Sequence, residues 1–458
     1  MTRLMTTMAG TRPGLALAVV IGLLLAASAA ADDGPAPIVL NDDGGWCWFE
    51  DERAVWDQNG GLVVGTVASG HANPGRKGSI EVVRIDPASP GKVERATLHP
   101  RFSLDDHNSP ALWVRPDGRI LAMYAKHGPE PRVYVRITQE PGSIESWGPE
   151  FTVEPSPTSR ITYSNLHYLA RENNGKGRLY DFFRGLDNSF KPSWMTSDDL
   201  GQTWTRGGVL ITIEAKFKHR PYVKYASNGT DTVHVAFTDA HPRDFDNSIY
   251  HVFIRNGVIH RSDGTAIGTM ADGAILPSQA TKVFAGDPAN VAWTQDMHLG
   301  PDGRPVIAYS VQKDSAGLPP KQGGADHRYR IARWDGARWD DREVAYAGRR
   351  LYAGEDDYTG GICLDPQDVG TAYIATIVEP DTGKTNASGH FEIFRGRASG
   401  SADGRWSWEP ITSGSTVDNL RPIVPIGPGR PSAVLWLRGR FTTYIDYALE
   451  VVGHVPTP

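Results

Sequence analysis

A chain of 458 residues with a formal net charge of -6 offers no basic stripe to neutralise phosphates, which excludes nucleic acid as an expected partner. Its 50 Gly, 33 Pro, 13 Trp and 16 Tyr favour short strands and tight turns, and no stretch beyond residue 31 sustains a helical apolar period. Two cysteines, Cys47 and Cys363, are too few to make cystine the main source of stability, and a chain this long buries its own core.

Read in chain order, the first segment combines Arg3 and Arg12, an apolar run from Leu15 to Ala27, and small residues ending in Ala29, Ala30 and Ala31. That is the layout of a secretory signal peptide, and its apolar core of about 13 residues is shorter than the roughly 20 that span a bilayer. Residues 1–31 are therefore expected to be removed. Residues 32–458 are expected to act free of the membrane, secreted or periplasmic, as a monomer.

From Leu62 onward the chain reads as strand after strand: LVVGTVAS, SIEVVRID, ALWVRP, ILAMYAK, VYVRIT, RLYDFFRG, PSWMTSD, HVAFTDA, YHVFIR, PVIAYSV, YRIARWD, TAYIATIV, FEIFRGR, AVLWLRG and TYIDYAL. Each is short, rich in β-branched and aromatic residues, and bounded by Gly, Pro, Asp or Asn. Pro116–Gly118 and Pro301–Gly303 supply hairpin turns. Ser197-Asp198-Asp199-Leu200-Gly201-Gln202-Thr203-Trp204 fits S-x-D-x-G-x-T-W at every fixed position and resembles the Asp-box, or BNR repeat. In that motif Ser and Asp fix a hairpin between outer strands of a propeller blade, and the Trp packs between blades. Weaker echoes stand at Trp147, at Trp334 with Trp339, and at Trp406 with Trp408. The expected fold is all-β: a single seven-bladed β-propeller over residues 32–458, with four antiparallel strands per blade and roughly 60 residues for each. Cys47 and Cys363 are expected as buried thiols, with pairing through ring closure as the alternative.

One set of motifs reaches beyond fold. Gly45-Trp46-Cys47-Trp48-Phe49-Glu50-Asp51-Glu52-Arg53-Ala54, then His107-Asn108-Ser109-Pro110, Tyr124-Ala125-Lys126-His127, Tyr358-Thr359-Gly360-Gly361 and Arg421-Pro422 run along nearly the whole mature chain. In these the chain is similar to a BNR-type propeller family that includes ulvan lyases and related rhamnose- and glucuronate-cleaving enzymes. The resemblance implies a canyon on one propeller face where His, Tyr and Arg cleave a uronic-acid polymer by β-elimination. Carried over residue by residue, it points to His107, Tyr168 and Arg184 as catalytic and to His127, Tyr222 and His241 as substrate-binding. Tyr163 and Tyr225 lie close enough in sequence to compete with Tyr168 and Tyr222.

The chemistry requires such a set. The proton on C5 of a uronate is too weakly acidic to leave unless the adjacent carboxylate is neutralised, which a guanidinium such as Arg184 does with two hydrogen bonds. A base, Tyr168 as phenolate or neutral His107, then takes the proton, and a Tyr hydroxyl returns one to the leaving oxygen. A structural salt bridge from Arg184 to Asp181 or Asp187 is the plain alternative. His71, His99, His167, His219, His251 and His298 carry no motif and read as ordinary histidines.

No H-x-x-x-H, C-x-x-C or EF-hand spacing occurs, so no catalytic cofactor is expected. Acidic turns such as Glu355-Asp356-Asp357 leave room for a structural divalent cation. The expected partner is an acidic polysaccharide. A rhamnosidase-like glycoside hydrolase and a non-catalytic carbohydrate-binding propeller are the competing readings, whereas a sialidase would require an Arg-Ile-Pro segment that the chain lacks.

Overall fold

All but one of the runs read as strands fall in strands of the computed structural model, among them Leu62–Val67, Ile120–Tyr124, Arg178–Arg184, Pro305–Gln312 and Val434–Thr443; TYIDYAL instead spans the hairpin turn at Tyr444 and Ile445. The structure describes residues 36–213, 220–319, 321–399, 404–427, 429–430 and 432–457, so the leader read over residues 1–31 lies outside the described residues. Seven antiparallel sheets follow one another over residues 54–99, 111–153, 162–209, 223–284, 291–348, 362–410 and 418–454. In chain order each runs from an inner strand outward. The exception to four strands is the fourth sheet, where Val258–His260 and Thr281–Phe284 pair with opposite halves of Ile249–Arg255 and Ala266–Thr269 extends the edge. Ile38–Asn41 closes the ring by pairing antiparallel with Asp446–His454, as the outermost strand of the seventh sheet. The result is a seven-bladed β-propeller whose two chain ends share one blade.

Blades pack face to face through apolar side chains. Val63, Val67, Ile80 and Val82 of the first meet Leu112, Ile120, Ala122 and Tyr124 of the second. Between the second and third, Leu121, Met123 and Val135 meet Leu179, Phe183 and Met195, with Trp204 of the Asp-box against them. The Asp-box is built as its residue types require. Asp199 Oδ1 accepts from Thr203 N at 2.8 Å and Gln202 N at 3.1 Å, and Ser197 Oγ accepts from Gly201 N at 2.8 Å. Gly201 takes a φ of +87°, which a side chain would strain, and its missing Cβ admits Leu121 of the neighbouring blade. The motif builds the fold and stands away from any chemistry.

A ring of seven sheets leaves its axis to be filled, and residues 46–53 fill it. Trp46, Cys47, Trp48, Phe49, Glu50 and Arg53 are buried there. Trp48 Nε1 donates to Thr359 O at 2.9 Å, ahead of the sixth blade, and Arg421 of the seventh lies 4.3 Å over its ring. Phe49 stacks on Trp293 of the fifth with centroids 4.0 Å apart. Glu50 accepts from Ser109 Oγ at 2.5 Å, ahead of the second blade, and its carbonyl oxygen accepts from Lys224 of the fourth. Arg53 pairs with Glu50 at 3.0 Å and donates to Ser164 O of the third at 2.9 Å. Cys47 in this plug and Cys363 in the sixth inner strand are both free and buried. Replacing Arg53 by Met leaves Glu50 as an uncompensated buried charge, so urea unfolding of R53M is expected to show a loss of about 3–5 kcal/mol. An unchanged midpoint would mean that the plug does not hold the ring.

Candidate functional site

In each blade the inner strand and the next run antiparallel, so the start of the first and the end of the second reach the same face of the ring. That topology gathers the candidate residues. His107 sits in the loop entering the second blade, and His127 follows that blade's second strand, Ile120–Tyr124. Arg184 ends the second strand of the third blade, Tyr222 precedes the inner strand of the fourth, and His241 follows Thr232–Thr238. Tyr168 does not join them. It stands five residues further down its inner strand than Tyr163, roughly 16 Å at strand rise, opposite Leu179 at the start of the next strand. There its ring lies 5.2 Å from Trp113 and its hydroxyl donates to Lys176 O at 3.3 Å. The tyrosine beside Arg184 is Tyr163.

At the centre, His107 and His127 stack with centroids 3.8 Å apart and planes inclined by 13°. Asp105 holds both: Oδ1 lies 2.7 Å from His107 Nδ1 and Oδ2 lies 3.0 Å from His127 Nδ1. Asp106 adds a second carboxylate oxygen 2.8 Å from His107 Nδ1. On the other side of His127, Arg184 Nη2 is 3.2 Å from Nε2. The guanidinium lies 4.5 Å over the Tyr163 ring and 6.0 Å from that of Tyr222. Tyr222 meets His241 edge to face at 5.4 Å, and Tyr444 from the seventh blade stands 5.7 Å from His127.

The two imidazoles differ in charge, one cationic and one neutral. Burial opposes a cation on His107, but the Asp105 and Asp106 carboxylates at its Nδ1 raise its pKa well above the ordinary value. Burial and the adjacent His107 and Arg184 charges lower that of His127 to about 4, against the pull of Asp105. Neutral His127 thus gives its Nδ1 proton to Asp105 and turns the Nε2 lone pair toward Arg184. Burial pushes the Tyr163 hydroxyl well above the ordinary phenol range, so it stays protonated, and it is buried with no hydrogen-bond partner among the described residues. Burial, then Arg243, Arg220 and Arg184, hold His241 neutral.

Arg184 is the unusual group. It is 5 % exposed, and among the described residues it forms no ion pair with a carboxylate. The salt bridges offered as its alternative are not made: Asp187 pairs with Arg206, and Asp181 accepts from Ser164 Oγ and Asn165 N. Tyr163 itself has a φ of +63°, a left-handed conformation costly for a bulky residue, at a shift in strand pairing between Thr162 and Asn165. Next to His241, Arg243 and Glu355 border a cleft of about 360 Å³ that also takes in Asp244, Lys321 and Asp357. Of the residues that motif reading did not select, Asp105 adjoins His107 in sequence and was open to the same argument, while Tyr444 carries no sequence signal.

The family model described as BNR repeat-containing family member matches residues 56–347, more than half of the chain. A search of curated proteins finds no match. Among solved structures, a PL25 ulvan lyase bound to -[GlcA(1-4)Rha3S]- superposes with a TM-score of 0.64 at 14% identity, covering 92% of this chain and 97% of that one. A second structure of a PL25 ulvan lyase gives 0.65 over the same shares, also at 14% identity. A Hadza microbial sialidase gives 0.42 at 13% identity, over 71% of this chain and 62% of that one.

The different protonation of the two histidines is open to measurement by imidazole NMR. His127 is expected to protonate only as pH falls to about 4, while His107 stays protonated through pH 7. Because its folded pKa lies below the unfolded value, His127 weakens the fold as pH drops from about 6.5 towards 4; His107, shifted upward, stabilises below about 6.5 and loses that contribution as pH rises through its folded pKa. Two histidines titrating together near pH 6.5 would contradict this arrangement.

Proposed function

The chain belongs to the BNR repeat-containing family, and from that premise we propose that it is a secreted polysaccharide lyase cleaving a uronic-acid polymer by β-elimination. The observation that carries the reading is Arg184, a buried guanidinium at the propeller face that stacks on Tyr163 and has no carboxylate partner among the described residues. A substrate uronate supplies one. The PL25 ulvan lyase with bound -[GlcA(1-4)Rha3S]- supports a glucuronate linked to sulfated rhamnose as the substrate class.

In this reading Arg184 leaves His127 Nε2 to grip the carboxylate with two hydrogen bonds, which stabilises the enolate-like charge and frees the Nε2 lone pair. His127, neutral at working pH, takes the C5 proton. The C4–O bond breaks as the C4–C5 double bond forms, and the Tyr163 hydroxyl, protonated and lacking a protein acceptor, gives its proton to the departing oxygen. His107 does not contact the sugar; its cation and Asp105 orient His127. Tyr222 and His241 line the approach.

The test is a panel of acidic glycans followed at about 235 nm, the absorbance of the unsaturated uronate formed by elimination across C4 and C5. Wild type is expected to generate that absorbance. R184N is expected to lose on the order of 10²–10³ in kcat/KM, and Y163F on the order of 10²–10⁴, while Y168F stays near wild type. Saturated products from the wild type, or loss on Y168F with Y163F unaffected, would refute the assignment.

A further inference from the structure

Deeper along the axis, a second cluster has no part in this chemistry. His298 lies five residues beyond Trp293 on the inner strand of the fifth blade, and Asp296 two before it faces the same side. Glu52 of the plug comes down to meet them. His298 is 3 % exposed, and its Nε2 makes no hydrogen bond. The nearest acceptors are Asp296 Oδ2 at 3.4 Å and Glu52 Oε1 at 3.8 Å.

Those separations are long for hydrogen bonds and suited to another purpose. Ligands at 2.0–2.1 Å from a tetrahedral zinc stand roughly 3.3–3.4 Å from each other, and one ligand atom from each of Glu52, Asp296 and His298 lies within 4.8 Å of the others. A cavity of about 20 Å³ opens beside them, lined by Glu52, Asp296, Gln295 and Cys363 among others. That is room for one ion or one water. Lys224, in the same wall, gives its ammonium hydrogen to the Glu50 carbonyl oxygen. A buried carboxylate, a half-buried one and a buried imidazole nitrogen without a hydrogen bond among the described residues are a donor set that a dication satisfies at once.

We propose that Glu52, Asp296 and His298 bind a divalent metal ion of the zinc class, which ties the axial plug to the fifth blade. The ion is structural. It sits away from His127, takes no part in elimination, and leaves Gln295, Cys363 or a water for the fourth position.

Metal content of the purified full-length chain tests this without reference to activity. Protein from zinc-supplemented medium is expected to hold about one zinc ion per chain, and chelation is expected to lower Tm, with recovery on adding zinc. H298Q is expected to weaken zinc binding by at least about tenfold, and H127Q to leave it unchanged, which separates this cluster from the one around Asp105. X-ray absorption on the zinc-loaded wild type is expected to show one imidazole with oxygen neighbours. It decides the matter should H298Q fail to fold. A chain that takes up no zinc, a zinc lost with H127Q, or a shell of two imidazoles would overturn the proposal.

Discussion

The Glu50–Arg53 ion pair at the propeller axis is the contact on which the rest depends. A ring of sheets can seal its outer surfaces with apolar packing, but at the axis inner strands converge with free polar groups and no neighbour to pair them. The plug supplies partners. Arg53 reaches Ser164 O, Glu50 takes Ser109 Oγ, and Asp51 N donates to Asn165 Oδ1 at 3.0 Å. Charges buried this deeply are tolerated because each has an opposite charge or a hydrogen-bond donor, and removing one strands the others.

The same convergence explains where the candidate site lies. Loops entering inner strands and leaving second strands meet over the plug, so the plug becomes the floor of the site. Phe49 backs Tyr222 at 4.7 Å, Trp48 backs Tyr358 at 5.8 Å, and Cys47 lies beside His107. Rigid strand ends then hold the two imidazoles to one carboxylate, which is what keeps one charged and its stacked neighbour neutral. Such a pair would not keep that difference on a mobile loop.

Legibility divides along the same line. Outer and middle strands such as Ile120–Tyr124 and Pro305–Gln312 are apolar enough to be read directly, and the Asp-box announces its own turn. Apart from Ala111–Val114, the inner strands are less legible: Thr162–Leu169, Val291–Leu299 and Asp418–Ile423 carry Asn165, His167, Asp296, His298, Asn419 and Arg421, polar groups turned toward the axis that break the alternation. The residues that motif resemblance points to, His107, His127, Arg184, Tyr222 and His241, stand in loops and strand ends that meet on one face of the ring. Tyr168 falls away from them while Tyr163 lies beside Arg184, because spacing along a chain does not report which end of a strand faces the site, and here five residues separate the two.

Plug and site therefore cannot vary independently. Burying a cationic His107 against Cys47 is costly unless Asp105 and Asp106 surround it, and those carboxylates are fixed in turn by a loop whose Asp106 N donates to Tyr444 O at 2.9 Å, in the blade that closes the ring. Tyr444 thus links closure to chemistry: a strand exchange at Ile38–Asn41 that loosens the seventh blade also loosens the loop carrying His107. The candidate site thus shares its supports with the seam of the propeller, and the strain at Tyr163 persists because a closed ring over-determines its position.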